Sequence, residues 1–330
     1  MNWEPAIYEH KARLIGRAPA EVSRSADLLE EALLAEHATY GADYLTVGID
    51  VYNVEAEACG ARIVAHDETA CPEIPDAPWS IEDAAEADLE SLLVMPDISE
   101  AGRFGIILEA SRRAQAALSS VEQPPVLRVA ASGPFSIASK LLGMEPLLIG
   151  AITQDHSTLR VLDFCTDLSI AWCTQIRRAG FEALIVDSSA SPPMIGPEQY
   201  RELILPLHRR IMEALEAVGQ DRRPLILGGD TTPIAKDIVR AGATVVICDF
   251  AADAAEFAHE VTGYPGVEVR RNVAPGAIER AQNFQKLVED TASDLQLFAH
   301  PILGTGILPY DQDPEPIVRF RNAVAAATAA

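Results

Sequence analysis

The sequence predicts an α/β fold, a closed (β/α)8 barrel in a single domain. Short apolar strands alternate with helices of about 10–20 residues, and no block consists of strands alone, which is the signature of a parallel sheet with helical crossovers. Seven or eight such units follow one another across 330 residues without a linker. Barrels of this class often exceed ~250 residues as one unit. The first strand-to-helix turn lacks GxGxxG, so the fingerprint of a dinucleotide-binding doubly wound sheet is absent.

Residues 1–40 are expected to form an N-terminal helical segment. There Ser25 precedes Asp27-Leu28-Leu29-Glu30-Glu31, and leucines at 28, 29, 33 and 34 make one apolar stripe. Tyr44 to Ile49 is a β-rich run ending in Asp50, and the stretch from Asp50 to Gly60 turns from loop into short helix. Ala61 to His66 reads as a further short strand. Glu68 to Asp97, rich in proline and acid, reads as an irregular surface excursion. The alternation then becomes regular. A helix over 101–118 leads to the strand Pro125–Ala130, which ends in Ser132-Gly133-Pro134, and a long helical region runs to Ala179. Ala183–Val186 ends in Asp187-Ser188-Ser189, and the region from Pro197 to Ala217 is amphipathic. Leu225–Leu227 breaks at Gly228-Gly229 before Asp230-Thr231. Thr244–Cys248 ends in Asp249, and Val267–Arg270 ends in Arg271-Asn272. Leu295–Phe298 is read as the last strand, leading through His300 to Gly304-Thr305-Gly306, with a final helix from Pro314.

Composition narrows the function classes. Hydrophobic residues at 48% and charged residues at 23% supply an ample core, while a net charge of -23 argues against a phosphate backbone as partner. No nucleic-acid partner is expected. No apolar stretch reaches ~18 residues and no basic n-region precedes an h-region, so no membrane span or secretory signal is expected and the chain is assigned to the cytoplasm. The five cysteines are scattered without a CxxC, which favours buried thiols over disulfides.

In a parallel barrel the carboxyl ends of the strands converge on one face and bring distant residues together. The converging set here is Asp50, Asn53, Ser132, Asp187, Ser188, Asp230, Thr231, Asp249, Asn272 and Thr305. For each of them helix capping competes with a role in chemistry, most strongly for Thr231 and Ser189 just ahead of helix starts. Asp187, Asp230 and Asp50 each end an apolar run, and several carboxylates at one mouth are costly unless something uses them. His300, read as late in a strand, is the candidate proton shuttle, weighed against a hydrogen-bonded core histidine. No GxSxG elbow, Walker A loop or HExxH occurs.

These segments resemble the uroporphyrinogen decarboxylase superfamily, which includes cobalamin-dependent methyltransferases. The resemblance rests on Gly133-Pro134-Phe135-Ser136-Ile137-Ala138, Ala179-Gly180-Phe181-Glu182-Ala183 with Asp187-Ser188-Ser189-Ala190, and Gly229-Asp230-Thr231-Thr232-Pro233-Ile234. Asn272 with Pro275, and Gly304-Thr305-Gly306 with Pro314-Glu315, continue it in the same order. It implies a distorted (β/α)8 TIM barrel over residues 1–330. The decarboxylase's arginine-bearing N-terminal motif has no counterpart in residues 1–40, its tyrosine position is Lys140 and its late histidine position is Thr305. Ser188 keeps its serine, and Asp50 falls at the place of its catalytic aspartate. A strongly acidic chain without that arginine motif is a poor host for a polycarboxylate porphyrinogen.

The methyltransferase branch holds zinc through a His-x-Cys pair and a late cysteine, and those three positions are Ile226, Gly228 and Thr305 here. The resemblance therefore implies zinc only if another ligand set, drawn from Asp230, His300, Glu55 or Glu57, replaces the usual one. It implies a methyltransferase moving a methyl group between a small non-thiol methylated substrate and a cobalamin on a separate corrinoid-binding protein. Asp230, Asp187 and His300 are the expected acid–base groups, and Asp50, Asn53, Ser188, Thr231, Asn272 and Thr305 the substrate contacts. The alternatives are a repurposed barrel that binds a tetrapyrrole or small molecule, and a decarboxylase of a small acid.

Overall fold

Eight strands make the framework of the computed structural model, which describes residues 1–81, 86–192 and 194–329. They are β1 (Asn2–Ala6), β2 (Tyr44–Val47), β3 (Val126–Ser132), β4 (Glu182–Val186), β5 (Leu225–Ile226), β6 (Val245–Cys248), β7 (Glu268–Val273) and β8 (His300–Ile307). All pair in parallel, in two arcs of order β1-β8-β7-β6 and β2-β3-β4-β5. The arcs meet at two narrow seams. At one, the Asp43 N–H donates to Trp3 O at 3.0 Å, and at the other Pro224 and Val245 form a parallel bridge. The barrel is thus closed, and distorted where a few bonds replace a full ladder.

Two of the strands depart from the sequence expectation. Residues 1–40 are not helical throughout, because β1 occupies Asn2–Ala6 ahead of helices His10–Leu14, Pro19–Val22 and Ala26–Tyr40. Helical propensity loses to burial there: Trp3, Glu4, Pro5 and Ala6 are enclosed beside β8, and the ladder shifts register between Glu4 and Ala6, around the proline that lacks a donor. The last strand begins at His300, not at Leu295, which instead ends the helix Phe284–Leu295. Gly304-Thr305-Gly306 lies inside β8. A Cβ at Gly304 would stand 2.5 Å from Asn272 Oδ1, so the side-chain-free position that weakens the strand signal is required by packing.

Other elements differ in detail. Ala61–His66 contributes only an isolated antiparallel bridge, Val64 to Glu73. The surface excursion contains the short helix Glu86–Leu92, and residues 82–85 of it lie outside the described residues. The long helical region divides into Pro134–Leu142, Met144–Thr153 and His156–Arg178. Ser25 caps the helix Ala26–Tyr40 by accepting from Leu28 N, as its sequence position suggests. No single helix among the described residues is long and apolar enough to cross a membrane.

Alternation along the strands divides the core. Ala183 and Ile185 of β4 join the large cluster packed against the helices, whereas Leu184 and Val186 point inward to meet Ala130, Ile226 and Ile247 inside the barrel. Toward the amino ends the interior is ionic. Arg128 and Arg222 both lie over the Tyr44 ring, with guanidinium carbons 4.4 and 4.3 Å from its centroid. Glu4 receives Arg128 Nη2 at 2.6 Å, and Arg222 binds Glu182 and Glu268 at 2.8 Å each. The carboxyl ends are left for a cavity.

Candidate active site

The carboxyl ends of the strands open on a cavity of about 580 Å3. Its polar wall comes from the second half of the chain: Ser188 after β4, Asp249 after β6, Arg270 and Asn272 in β7, and Thr305 in β8. Its aromatic wall is Tyr8, Tyr52 and Phe250. Inward strand positions and residues just beyond the strand ends reach the same space, which is why these residues meet.

Each polar group has an assigned bond. Thr305 Oγ1 accepts from Ala6 N at 3.2 Å, which ties β8 to β1. Asn272 Oδ1 accepts from Arg270 Nε at 3.1 Å, and Asn272 Nδ2 faces Asp249 Oδ2 at 3.4 Å. Asp249 Oδ1 accepts from Ala251 N at 3.2 Å, and among the described residues its carboxylate forms no ion pair. Arg270 is not a free cation, because its Nη1 is bonded to Glu4. Burial alone would raise the Glu4 pKa, but the guanidinium groups of Arg128 and Arg270 pull it down to about 2. Glu4 therefore stays ionised, and the floor of the cavity is close to electrically neutral.

The phenols behave differently. Tyr8 and Tyr52 stack edge to face with centroids 6.3 Å apart. Burial pushes both hydroxyls above the usual tyrosine range, with a Ser188 hydrogen bond partly offsetting it at Tyr52. They are neutral donors at physiological pH. Tyr52 and Ser188 also border a smaller lobe of about 310 Å3, which Lys140, Ser136 and Met194 line.

Of the converging polar residues singled out in the sequence, Ser188, Asp249, Asn272 and Thr305 line the cavity and the others do not. Asp187 is fully buried and accepts from Ser136 N at 2.7 Å and Phe135 N at 3.3 Å, at the start of the helix Pro134–Leu142, so it is spent as a cap. Asp230 is exposed and accepts from Thr232 N at 3.0 Å. Thr231 is buried with its hydroxyl 3.4 Å from Ile247 O. Asp50 pairs with Arg103, whose Nη2 donates at 2.9 Å, while Asn53 donates to Pro72 O at 2.7 Å. Both are buried outside the cavity. His300 opens β8 at the opposite end of the barrel, exposed beside Asn2, Tyr44 and Glu268, so it cannot shuttle protons at the mouth.

The four possible metal ligands do not converge. Glu55 is buried under Ser132, accepting from its N–H at 2.6 Å and its hydroxyl at 2.8 Å, and Glu57 is bound by Arg24 and Arg103. Asp230 and His300 lie in solvent at opposite ends. With Ile226, Gly228 and Thr305 at the usual ligand positions, the residues present do not fit a thiol-activating zinc, and among the described residues no cluster of three His, Cys, Asp or Glu could hold a metal.

Sequence reasoning missed Tyr8, Tyr52, Phe250 and His208. Pro5 argued against a continuous N-terminal helix and could have exposed β1, and with it Tyr8 just beyond its end. Phe250 directly follows a strand-end aspartate. His208 lies on the amphipathic helix Leu205–Ala217, with Nε2 2.9 Å from Asp187 and Nδ1 3.0 Å from the Tyr200 hydroxyl. Nothing in the sequence sets it apart from a surface histidine.

Known proteins place this geometry in context. The family model described as uroporphyrinogen decarboxylase (URO-D) matches residues 6–321. The methylcobamide:CoM methyltransferase MtbA of Methanosarcina mazei is 29% identical over 222 residues, covering 66% of this chain and 60% of that protein. The MtbA of Methanosarcina acetivorans is 30% identical over 197 residues, covering 58% of this chain and 54% of its own. The matches thus span somewhat over half the length of these relatives. A solved methyltransferase from Methanosarcina mazei has the same fold, with a TM-score of 0.81 at 19% identity over 100% of this chain and 94% of that one.

Proposed function

Because the chain belongs to the uroporphyrinogen decarboxylase family, we propose that it is a methyltransferase of that family, moving a methyl group between a small non-thiol substrate in the cavity and a cobalamin carried by a separate corrinoid protein. The relatives named as methylcobamide:CoM methyltransferases support the reaction type. The observation that carries the reading is the charge pattern of the cavity. Among the described residues its one lining arginine, Arg270, is tied to Glu4, while Asp249 faces the cavity without an ion-pair partner. Such a lining repels a polycarboxylate and suits a small neutral or cationic molecule.

The roles follow from position. Ser188, Asn272 and Thr305 orient the substrate, and Tyr52 and Tyr8 donate hydrogen bonds from phenols that stay protonated. Cobalamin, when presented by its carrier, supplies the methyl-accepting or methyl-donating cobalt. The carrier is expected to cover the apolar rim, where Phe250 and Ile307 remain 50% and 47% exposed. No thiol-activating metal enters this scheme. The cytoplasm, where such a carrier would be met, is the location that accords with it.

The test is spectroscopic. The full chain is mixed with reduced cobalamin and a panel of methylated amines, ethers and thiols, and formation of methylcobalamin is followed. Transfer from a non-thiol donor, reduced at least about 100-fold in Asn272→Ala, is the expected result. Transfer only from or to thiols would overturn the non-thiol assignment. Binding of donors without any transfer would leave a small-molecule-binding barrel.

A further inference from the structure

We propose that the group bound in the mouth is a methylated onium cation, an ammonium or sulfonium, held between the Asp249 carboxylate and the rings of Tyr8, Tyr52 and Phe250. The fate of its methyl group rests on the methyltransferase reading above, whereas its binding does not.

The first argument is the state of Asp249. It is 7% exposed, yet among the described residues its carboxylate receives only one backbone N–H at 3.2 Å and one amide N–H at 3.4 Å. A buried carboxylate with so few donors is under-compensated and favours a cation beside it. The cations around it are committed elsewhere. Arg270 is bonded to Glu4 and to Asn272, and Arg271 points to Asp294 at 2.9 Å, giving Asp249 only a bond to its backbone carbonyl. Lys140 opens into the neighbouring lobe, on the other side of Tyr52 and Ser188. Deeper in the barrel Arg128, Arg222 and Arg270 are balanced by Glu4, Glu182 and Glu268. Among the described residues the Asp249 carboxylate in the cavity therefore has no ion-pair partner.

The second argument is the aromatic wall. Three rings line the same space as that carboxylate, and aromatic faces with an acid are how quaternary ammonium groups are recognised. The third is chemical balance. When an onium donates its methyl group, the C–N or C–S bond breaks with both electrons staying on the heteroatom. The methyl carbon takes its new electron pair from the reduced cobalt of a corrinoid co-reactant. The leaving amine or sulfide departs neutral and no proton moves. A methyl ether or alcohol would need protonation on leaving, and the phenols at hand are held firmly protonated and donate protons reluctantly.

Calorimetry on the full chain, without corrinoid, compares choline with its neutral isostere 3,3-dimethylbutan-1-ol. The expected result is at least ten-fold tighter binding of choline, with the difference abolished in Asp249→Asn and reduced several-fold in Phe250→Leu. Equal affinity for the two compounds in the native chain, or no binding of choline, overturns the onium site whatever the variants do. If methylcobalamin forms from a neutral ether while choline fails to bind, the onium inference falls and the methyltransferase reading stands. If choline binds selectively and no donor on the panel yields methyl transfer, the onium site stands and the methyltransferase reading falls.

Discussion

His208 Nε2 sits 2.9 Å from the Asp187 carboxylate, and neither group reaches the cavity that opens at the next residue, Ser188. The same carboxylate holds the first turn of the helix Pro134–Leu142, so a single acid locks two helices under the mouth. Replacing His208 by alanine leaves a buried carboxylate with fewer donors. Its expected cost is about 2–4 kcal/mol of unfolding free energy, read from urea denaturation. An unchanged midpoint would show that the pair does not bear on stability.

Glu4 is the keystone of the ionic layer between Arg128 and Arg270. Its folded pKa of about 2 lies below the ordinary 4.5, so its stabilisation is fully present above pH ~4.5 and is lost as pH falls toward 2. Glu4→Gln leaves two buried guanidinium groups short of a counter-charge, and about 3–5 kcal/mol should disappear at pH 7. The acid limb of a stability–pH profile should flatten in the variant.

Glu55 works in the opposite sense. Burial raises its pKa to about 7, against the pull of the Ser132 hydrogen bonds and Arg103, so the folded state holds its proton more tightly than the unfolded chain. The stability it contributes is present below pH ~4.5 and is lost as pH rises through 7. Glu55→Gln should remove that slope and, above pH 7, raise stability by up to about 3 kcal/mol. Thermal melts across pH 5 to 8 measure it, and a parallel slope in both proteins would contradict the assignment.

Asp230 and His300 test the geometry from the other side. Asp230 caps its own turn in solvent and His300 lies at the amino end of the barrel. Alanine at either position should change stability by less than about 1 kcal/mol and leave ligand affinity within about two-fold. A large loss of affinity in Asp230→Ala would bring that residue back into the site.

Gly304→Ala should damage the cavity directly. The new methyl group would meet Asn272 Oδ1 at 2.5 Å and Arg270 Cγ at 2.8 Å, both on the neighbouring strand. Overpacking of this kind costs about 1–3 kcal/mol, and displacement of Asn272 should weaken ligand binding more than the melting temperature suggests. Calorimetry and melts on the same preparation separate the two effects.

The barrel was legible in the sequence because alternation of short apolar strands and helices is a local pattern. β2, β3, β4, β6 and β7 stand where that pattern places them. β1 and the start of β8 were not legible. Asn2–Ala6 has no β-branched residue, and Gly304 and Gly306 empty the strand signal where close packing needs no side chain. Of the cavity lining, Ser188, Asp249, Asn272 and Thr305 were read at strand ends, while Tyr8 was hidden by the unrecognised first strand.

The chain by itself determines that successive strand ends gather polar groups on one face, and that the soft ligands of a zinc site are missing at Ile226, Gly228 and Thr305. Only the tertiary structure decides which of those groups remain available. Asp187 is consumed by a histidine 21 residues away, Asp50 by an arginine 53 residues away, and Arg270 by a glutamate 266 residues away. A buried charge must find its counter-charge in space, not in sequence. Among the described residues no cation pairs with the Asp249 carboxylate, which is left to face the cavity.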